Sequence, residues 1–104
     1  MDVQYDDEAI RRNPKAAESI YTFLPISEEE HVTLREGNTP LLKAKRLGKR
    51  IGIRHLYVKN ESCNPTGSFK DRPVSVGISM AVKFGYSKVI VASSDNGAAS
   101  VAAY

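Results

Sequence analysis

The sequence predicts an α/β fold with an open, mostly parallel sheet and flanking helices. Three observations point there. His55-Leu56-Tyr57-Val58-Lys59 has the aromatic and β-branched content of a strand. Pro73 to about Phe84 carries apolar residues at helical spacing. Lys88-Val89-Ile90-Val91-Ala92 is a continuous apolar run, the pattern of a parallel strand covered on both faces. With a further helix from Ala98 to Tyr104, the order is strand, helix, strand, helix, as in sheets with right-handed crossovers.

Taken in order, residues from about Asp6 to Tyr21 read as one or two short helices. Ala9, Ile10, Ala16, Ala17 and Ile20 make a sparse apolar stripe, and Asn13-Pro14 interrupts it with a turn. Pro25 prevents a helix from running through Phe23-Leu24-Pro25-Ile26. Residues 1–35 are expected to form an arm against a larger body that starts at residue 36. Gly37-Asn38 favours a tight turn, and Thr39 before Pro40 must be extended. Leu41 and Leu42 should turn inward, and Leu42 to Leu47 reads as a short helix ending at Gly48. In the later helix Pro73 suits the first turn and Gly85 the stop. Its core stripe is expected from Val74, Ile78, Ala81 and Val82, broadened by Met80 and Phe84.

A chain of 104 residues suits one domain at most, burying roughly 65% of its unfolded surface if it folds alone. Its 41% hydrophobic and 26% charged residues exclude a disordered chain. The net charge of +3, from 15 basic and 12 acidic residues, is too small to argue for nucleic acid. Lys43, Lys45, Arg46, Lys49, Arg50 and Arg54 cluster without interleaved aromatics, so a solvated face is the better reading. Cys63 is the sole cysteine, which excludes an internal disulfide and suits the cytoplasm; its expected place is as a small packed residue. The acidic N-terminus is no signal peptide, and no apolar run reaches membrane-spanning length. His31 and His55 lack partners at metal-ligand spacing, so no metal is expected. The chain stops at Ala102-Ala103-Tyr104 inside an apolar helix, which suggests a fragment.

The loop Asn64-Pro65-Thr66-Gly67-Ser68-Phe69-Lys70-Asp71-Arg72 joins the first strand to the first long helix. Pro65 and Gly67 fix its path, Ser68 can cap the helix after it, and Lys70 falls at the helix mouth. Open α/β sheets bind ligands at such places. A lysine whose ammonium is disfavoured there can attack an aldehyde and form a Schiff base. Arg72 would add to that effect and Asp71 oppose it. Physics alone leaves a solvated surface lysine as the commoner reading. A phosphate loop is excluded, because Lys70 is not followed by Ser or Thr after a Gly-x4-Gly spacing.

That nine-residue loop resembles the cofactor-lysine motif of the threonine synthases, within the fold type II family of pyridoxal-phosphate enzymes. Gly37-Asn38-Thr39-Pro40-Leu41, Leu56-Tyr57-Val58-Lys59-Asn60-Glu61 and Ala92-Ser93-Ser94-Asp95-Asn96 agree in order, covering nearly everything from Arg35 onward. The resemblance implies a partial tryptophan synthase β-like architecture, with residues 36–104 opening the catalytic region. It implies pyridoxal 5'-phosphate held by Lys70, Asn96 bonded to the phenolic oxygen of the ring, and Ser93 and Ser94 at the substrate's α-carboxylate. Phe69 would pack beside the lysine, or serve as plain core. Asp71 and Arg72 would form a structural ion pair.

The implied reaction converts O-phospho-L-homoserine and water to L-threonine and phosphate, in an enzyme that can be a homodimer. A serine or threonine dehydratase of the same fold is disfavoured by Asn64-Pro65 and Asp71, and a non-catalytic relative is the other alternative. In the family, the cradle for the cofactor phosphate and the residue facing the pyridine nitrogen lie far downstream of this chain. The isolated chain is therefore expected to be inactive. Asp95 departs from the family's usual glycine, placing a carboxylate beside a carboxylate-binding loop. Gly97 stands where many relatives carry a hydroxyl residue.

Overall fold

A computed structural model describes residues 4–13 and 19–104. Three consecutive segments, β1 (Leu41–Lys43), α1 (Lys45–Ile51) and β2 (Tyr57–Lys59), make one unit. The strands pair antiparallel, with Leu41 opposite Lys59 and Lys43 opposite Tyr57. Backbone bonds from Asn60 to Pro40 and from Ala44 to Leu56, both 2.9 Å, extend the ladder at each end. Leu41 and Leu42 therefore form an exposed strand and do not turn inward.

The helix expected to end at Gly48 starts later and runs on to Gly52, whose φ of 77° is the left-handed helix stop. Gly48 serves another purpose. Ile53 returns over the helix and donates its N–H to the Gly48 carbonyl at 2.9 Å. A β-carbon on Gly48 would lie 2.5 Å from the Ile53 oxygen, so close approach, not chain reversal, requires glycine there.

A short helix at Asp7–Arg12 and a 3-10 turn at Ile20–Phe23 precede this unit. Pro14, Ala16 and Ala17, expected to turn and continue the first helix, lie outside the described residues. Two longer helices come after it: α2 (Asp71–Lys83) and α3 (Asn96–Ala103). The buried face of α2 is Asp71, Ser75 and Ser79, four residues apart and each within 1% of complete burial. The expected apolar stripe adjoins it, but Val82 and Phe84 are exposed. Small serines let other segments approach the helix closely: Val32 donates its N–H to the Ser79 hydroxyl at 2.9 Å, and α3 packs on the same helix. Among the described residues, Ile26 is the sole fully buried hydrophobic side chain.

The apolar run at 88–92 forms no strand, and Ile90 is 99% exposed. No strand among the described residues lies beside it to complete a ladder, so the sheet described is the two-stranded antiparallel pair alone. No described helix is long and apolar enough to cross a membrane.

Carboxylates do much of the holding. Glu36 receives hydroxyl hydrogen bonds from Thr33 and from Tyr104 at the end of α3, both at 2.8 Å. It also lies 3.0 Å from His31 Nε2, and His31 Nδ1 meets the Tyr21 hydroxyl at 2.9 Å. Burial pushes the Glu36 carboxyl up, but hydrogen bonds from Ser75, its own backbone, Tyr104 and Thr33 outweigh it and hold the pKa at about 2. Glu61 is also held at about 2, by Arg72, Thr39 and Asn64.

This packing can be tested in two ways. Gly48→Ala should destabilise the fold by about 1–3 kcal/mol through the collision with Ile53. Gly77→Ala, with open space around the added carbon, should stabilise α2 by about 0.5–1 kcal/mol; thermal or urea melts read both. In the second test, Glu36 and Glu61 have folded pKa values below their ordinary 4.5, so their stabilisation is complete above that pH. It drains as pH falls from 4.5 toward 2. Melting temperature should fall across that window, and Glu36→Gln should flatten the fall while lowering stability at pH 7.

Candidate functional site

The lysine loop is built on polar side chains that leave Lys70 alone. Glu61 lies in a 3-10 turn, Glu61–Cys63, directly after β2. Its carboxylate takes both forks of Arg72, at 2.6 Å from Nε and 2.9 Å from Nη2. It also accepts the Thr39 hydroxyl at 2.5 Å and the Asn64 amide at 3.1 Å. Asn64, itself buried, then accepts the Gly37 N–H at 2.9 Å through its side-chain oxygen. The turn at Gly37 and the lysine loop are thereby one assembly. Gly37 has a φ of 90°, and a β-carbon there would meet the Arg72 guanidinium at 3.1 Å.

Arg72 pairs with Glu61, so the expected Asp71–Arg72 ion pair does not form. Their side chains leave the helix in different directions because neighbours in sequence are about 100° apart around an α-helix. Asp71 has 0% exposure and closes the loop from inside. Its Oδ2 accepts the Thr66 N–H at 2.7 Å; its Oδ1 accepts the Thr66 hydroxyl and, at 2.7 Å, the buried Ser100 hydroxyl of α3. Burial raises the Asp71 pKa, but the bonds from Thr66 and Ser100 prevail and lower it overall.

Ser68 works within the turn: its hydroxyl accepts the Lys70 N–H at 3.2 Å, and its carbonyl accepts the Asp71 N–H at 3.3 Å. Lys70 sits immediately before α2 without a side-chain cap of its own. Its Nζ lies 4.8 Å from the centre of the Phe69 ring. Phe69 is 55% exposed, which fits the reading beside the lysine and not the core reading. Among the described residues, the Lys70 amine makes no hydrogen bond or salt bridge. It is a primary amine, half-buried at a helix mouth and, among the described residues, in no ion pair with an acid.

The second loop, residues 93–96, comes to the same place. Ser100 touches Asp71, the residue after Lys70, and Asn96 lies one turn earlier on the same face of α3. Asn96 is exposed as the first residue of that helix. Ser93 donates its hydroxyl to Asp95 Oδ1 at 3.0 Å, while Ser94 is exposed. Asp95 caps α3 by accepting the Gly97 N–H at 3.2 Å. That bond, with Ser93 and the charge of Lys70, lowers its pKa. Its φ of −137° is negative, outside the left-handed region that favours glycine, so this position does not demand glycine. Cys63 is exposed, not packed. No group of three or more metal-ligating side chains gathers among the described residues.

Sequence reasoning missed Asp71, Glu36 and Ser100 as architects of the site. A signal for the first existed: Asp71, Ser75 and Ser79 recur every four residues on one helix.

A family model described as "Pyridoxal-phosphate dependent enzyme" matches residues 32–104. A threonine synthase of Methanosarcina acetivorans is 43% identical over 111 aligned positions, covering 100% of this chain and 27% of its own length. That of Methanocaldococcus jannaschii is 44% identical over 99, covering 94% and 24%. That of Synechocystis sp. is 48% identical over 90, covering 84% and 23%. The chain thus spans about a quarter of the length of the curated relatives it matches. With most of its length matched by that family model, this chain belongs to the pyridoxal-phosphate dependent enzymes.

Proposed function

We propose that this chain is the N-terminal part of a lyase of the threonine synthase kind, converting O-phospho-L-homoserine and water to L-threonine and phosphate. The observation that carries the reading is the Lys70 amine: uncommitted, at a helix mouth, inside a loop that polar side chains hold on both flanks. The cofactor's carbonyl requires such an amine, so the residues present fit it at that end. Bound pyridoxal phosphate supplies an electron sink beside the amino acid's α-carbon.

Within this reading, Lys70 would hold the cofactor covalently, and its Nζ would serve as the acid and base for the substrate. Asn96 would donate to the phenolic oxygen of the cofactor ring. Ser93 and Ser94, with the amides opening α3, receive the substrate's carboxylate; a helix N-terminus suits an anion. Residues 1–35 are an arm, and residues 36–104 begin the catalytic region. Residues 88–92 join a parallel sheet completed by the rest of a longer, cytoplasmic enzyme that can be a homodimer. The exposure of Val89, Ile90 and Val91 in this chain supports that reading. These 104 residues alone are inactive.

A second reading, a non-catalytic relative, draws on Asp95. Its carboxylate occupies the Gly97 N–H, one of the amides that a substrate carboxylate would need.

The full-length protein with pyridoxal phosphate should release phosphate from O-phospho-L-homoserine and no ammonia from threonine. Lys70→Ala should lower that rate on the order of 10³-fold or more and remove the cofactor's visible absorbance band. Ammonia release from threonine would favour the dehydratase. A visible band with neither activity would favour the non-catalytic relative.

A further inference from the structure

We propose that Asp71 is a positioning residue that sets Asn96 against Lys70, using one carboxylate oxygen for the lysine loop and sharing the other with α3. The inference rests on the reading of Lys70 as cofactor anchor and Asn96 as its partner on the ring. It goes beyond that reading by naming what fixes the distance between them.

Three hydrogen bonds set that distance. Thr66 N–H to Asp71 Oδ2, at 2.7 Å, closes residues 66–71 into a ring with Lys70 next to the closure. The Thr66 hydroxyl adds a second bond across the same ring. The third bond leaves the ring: Ser100 Oγ reaches Asp71 Oδ1 at 2.7 Å, between two side chains with 0% exposure. A carboxylate buried this deeply is tolerated when donors surround it, and here all three come from two residues. Asn96 precedes Ser100 by four residues, so it sits directly above on the same face of α3. The path from Lys70 to Asn96 therefore runs through one peptide unit, one carboxylate, one hydroxyl and one helical turn. A second tie from α3 to the body, Tyr104 to Glu36, lies at the far end of the helix. Releasing Ser100 leaves the opening turn of α3 to move about that distant anchor.

The test uses the protein loaded with pyridoxal phosphate and reads the pH titration of its visible band. A donor on the ring's phenolic oxygen draws negative charge away from the linking nitrogen; losing it raises the pH at which that nitrogen gives up its proton. Ser100→Ala and Asp71→Asn should keep the band but raise its midpoint by about one pH unit, as Asn96→Ala should do directly. Combining Ser100→Ala with Asn96→Ala should add nothing further, because both act through one contact. Thermal melts confirm that each variant is folded, and Ser100→Ala carries the test if Asp71→Asn does not fold. An unmoved midpoint in folded Ser100→Ala, or shifts that add to that of Asn96→Ala, would overturn the positioning role while leaving Lys70 as anchor. A band that survives in Lys70→Ala would overturn the anchor reading, and this inference with it.

Discussion

A buried carboxylate is costly to remove from water, by several kcal/mol even after the surroundings relax, unless donors replace the solvent it loses. Asp71 meets that condition with Thr66 twice and Ser100 once. The rest of the candidate site depends on it, because the same three bonds close the lysine loop and dock α3. Glu61 repeats the device at the next seam, joining β2, the turn at Gly37 and Arg72. Glu36 repeats it again between His31, Thr33 and Tyr104. Two buried carboxylates, Asp71 and Glu36, thus stand where a small domain would ordinarily place aliphatic side chains, and the part-exposed Glu61 ties the seam beside them.

This arrangement explains why Lys70 is free. Acids near a lysine ordinarily pair with it, yet Asp71 and Glu61 are saturated by other donors, and Asp95 is turned to the Gly97 amide. These acids are taken up by other donors, and among the described residues none of them forms a hydrogen bond or salt bridge with the amine. It also explains why apolar residues remain outside. Serines on the inner face of α2 let polar segments come close, and Val82, Phe84 and Ile90 are left exposed. Burial of such side chains is worth about 25 cal/mol per Å², a gain that the proposed longer enzyme would collect.

Much of the site was legible in the sequence because its residues act locally. Pro65 and Gly67 punctuate a loop, Lys70 comes at a fixed offset, and a helix begins there whatever its surroundings. The positions of β2, α2 and α3 rest on similarly local signals. Non-local partners were not legible. Nothing near Leu41 says that it will pair with Lys59, and nothing near Gly48 says that Ile53 will pass 2.5 Å from its absent side chain. Asp71 beside Arg72 invites an ion pair by adjacency, whereas the helix sends them to Ser100 and Glu61, 29 and 11 residues away. The run at 88–92 has strand composition, but a strand needs a neighbour, and composition does not supply one.

Attachment of the cofactor at Lys70 is the claim on which the proposed chemistry stands. Incubating the protein with pyridoxal phosphate, reducing with borohydride and digesting it makes any such attachment permanent and locates it by mass. The pyridoxyl-phosphate group should be found on the peptide containing Lys70, and should be lost from that position in Lys70→Ala. Label spread over Lys43, Lys45 and Lys49 of the basic face, with Lys70 unmodified, would contradict the claim.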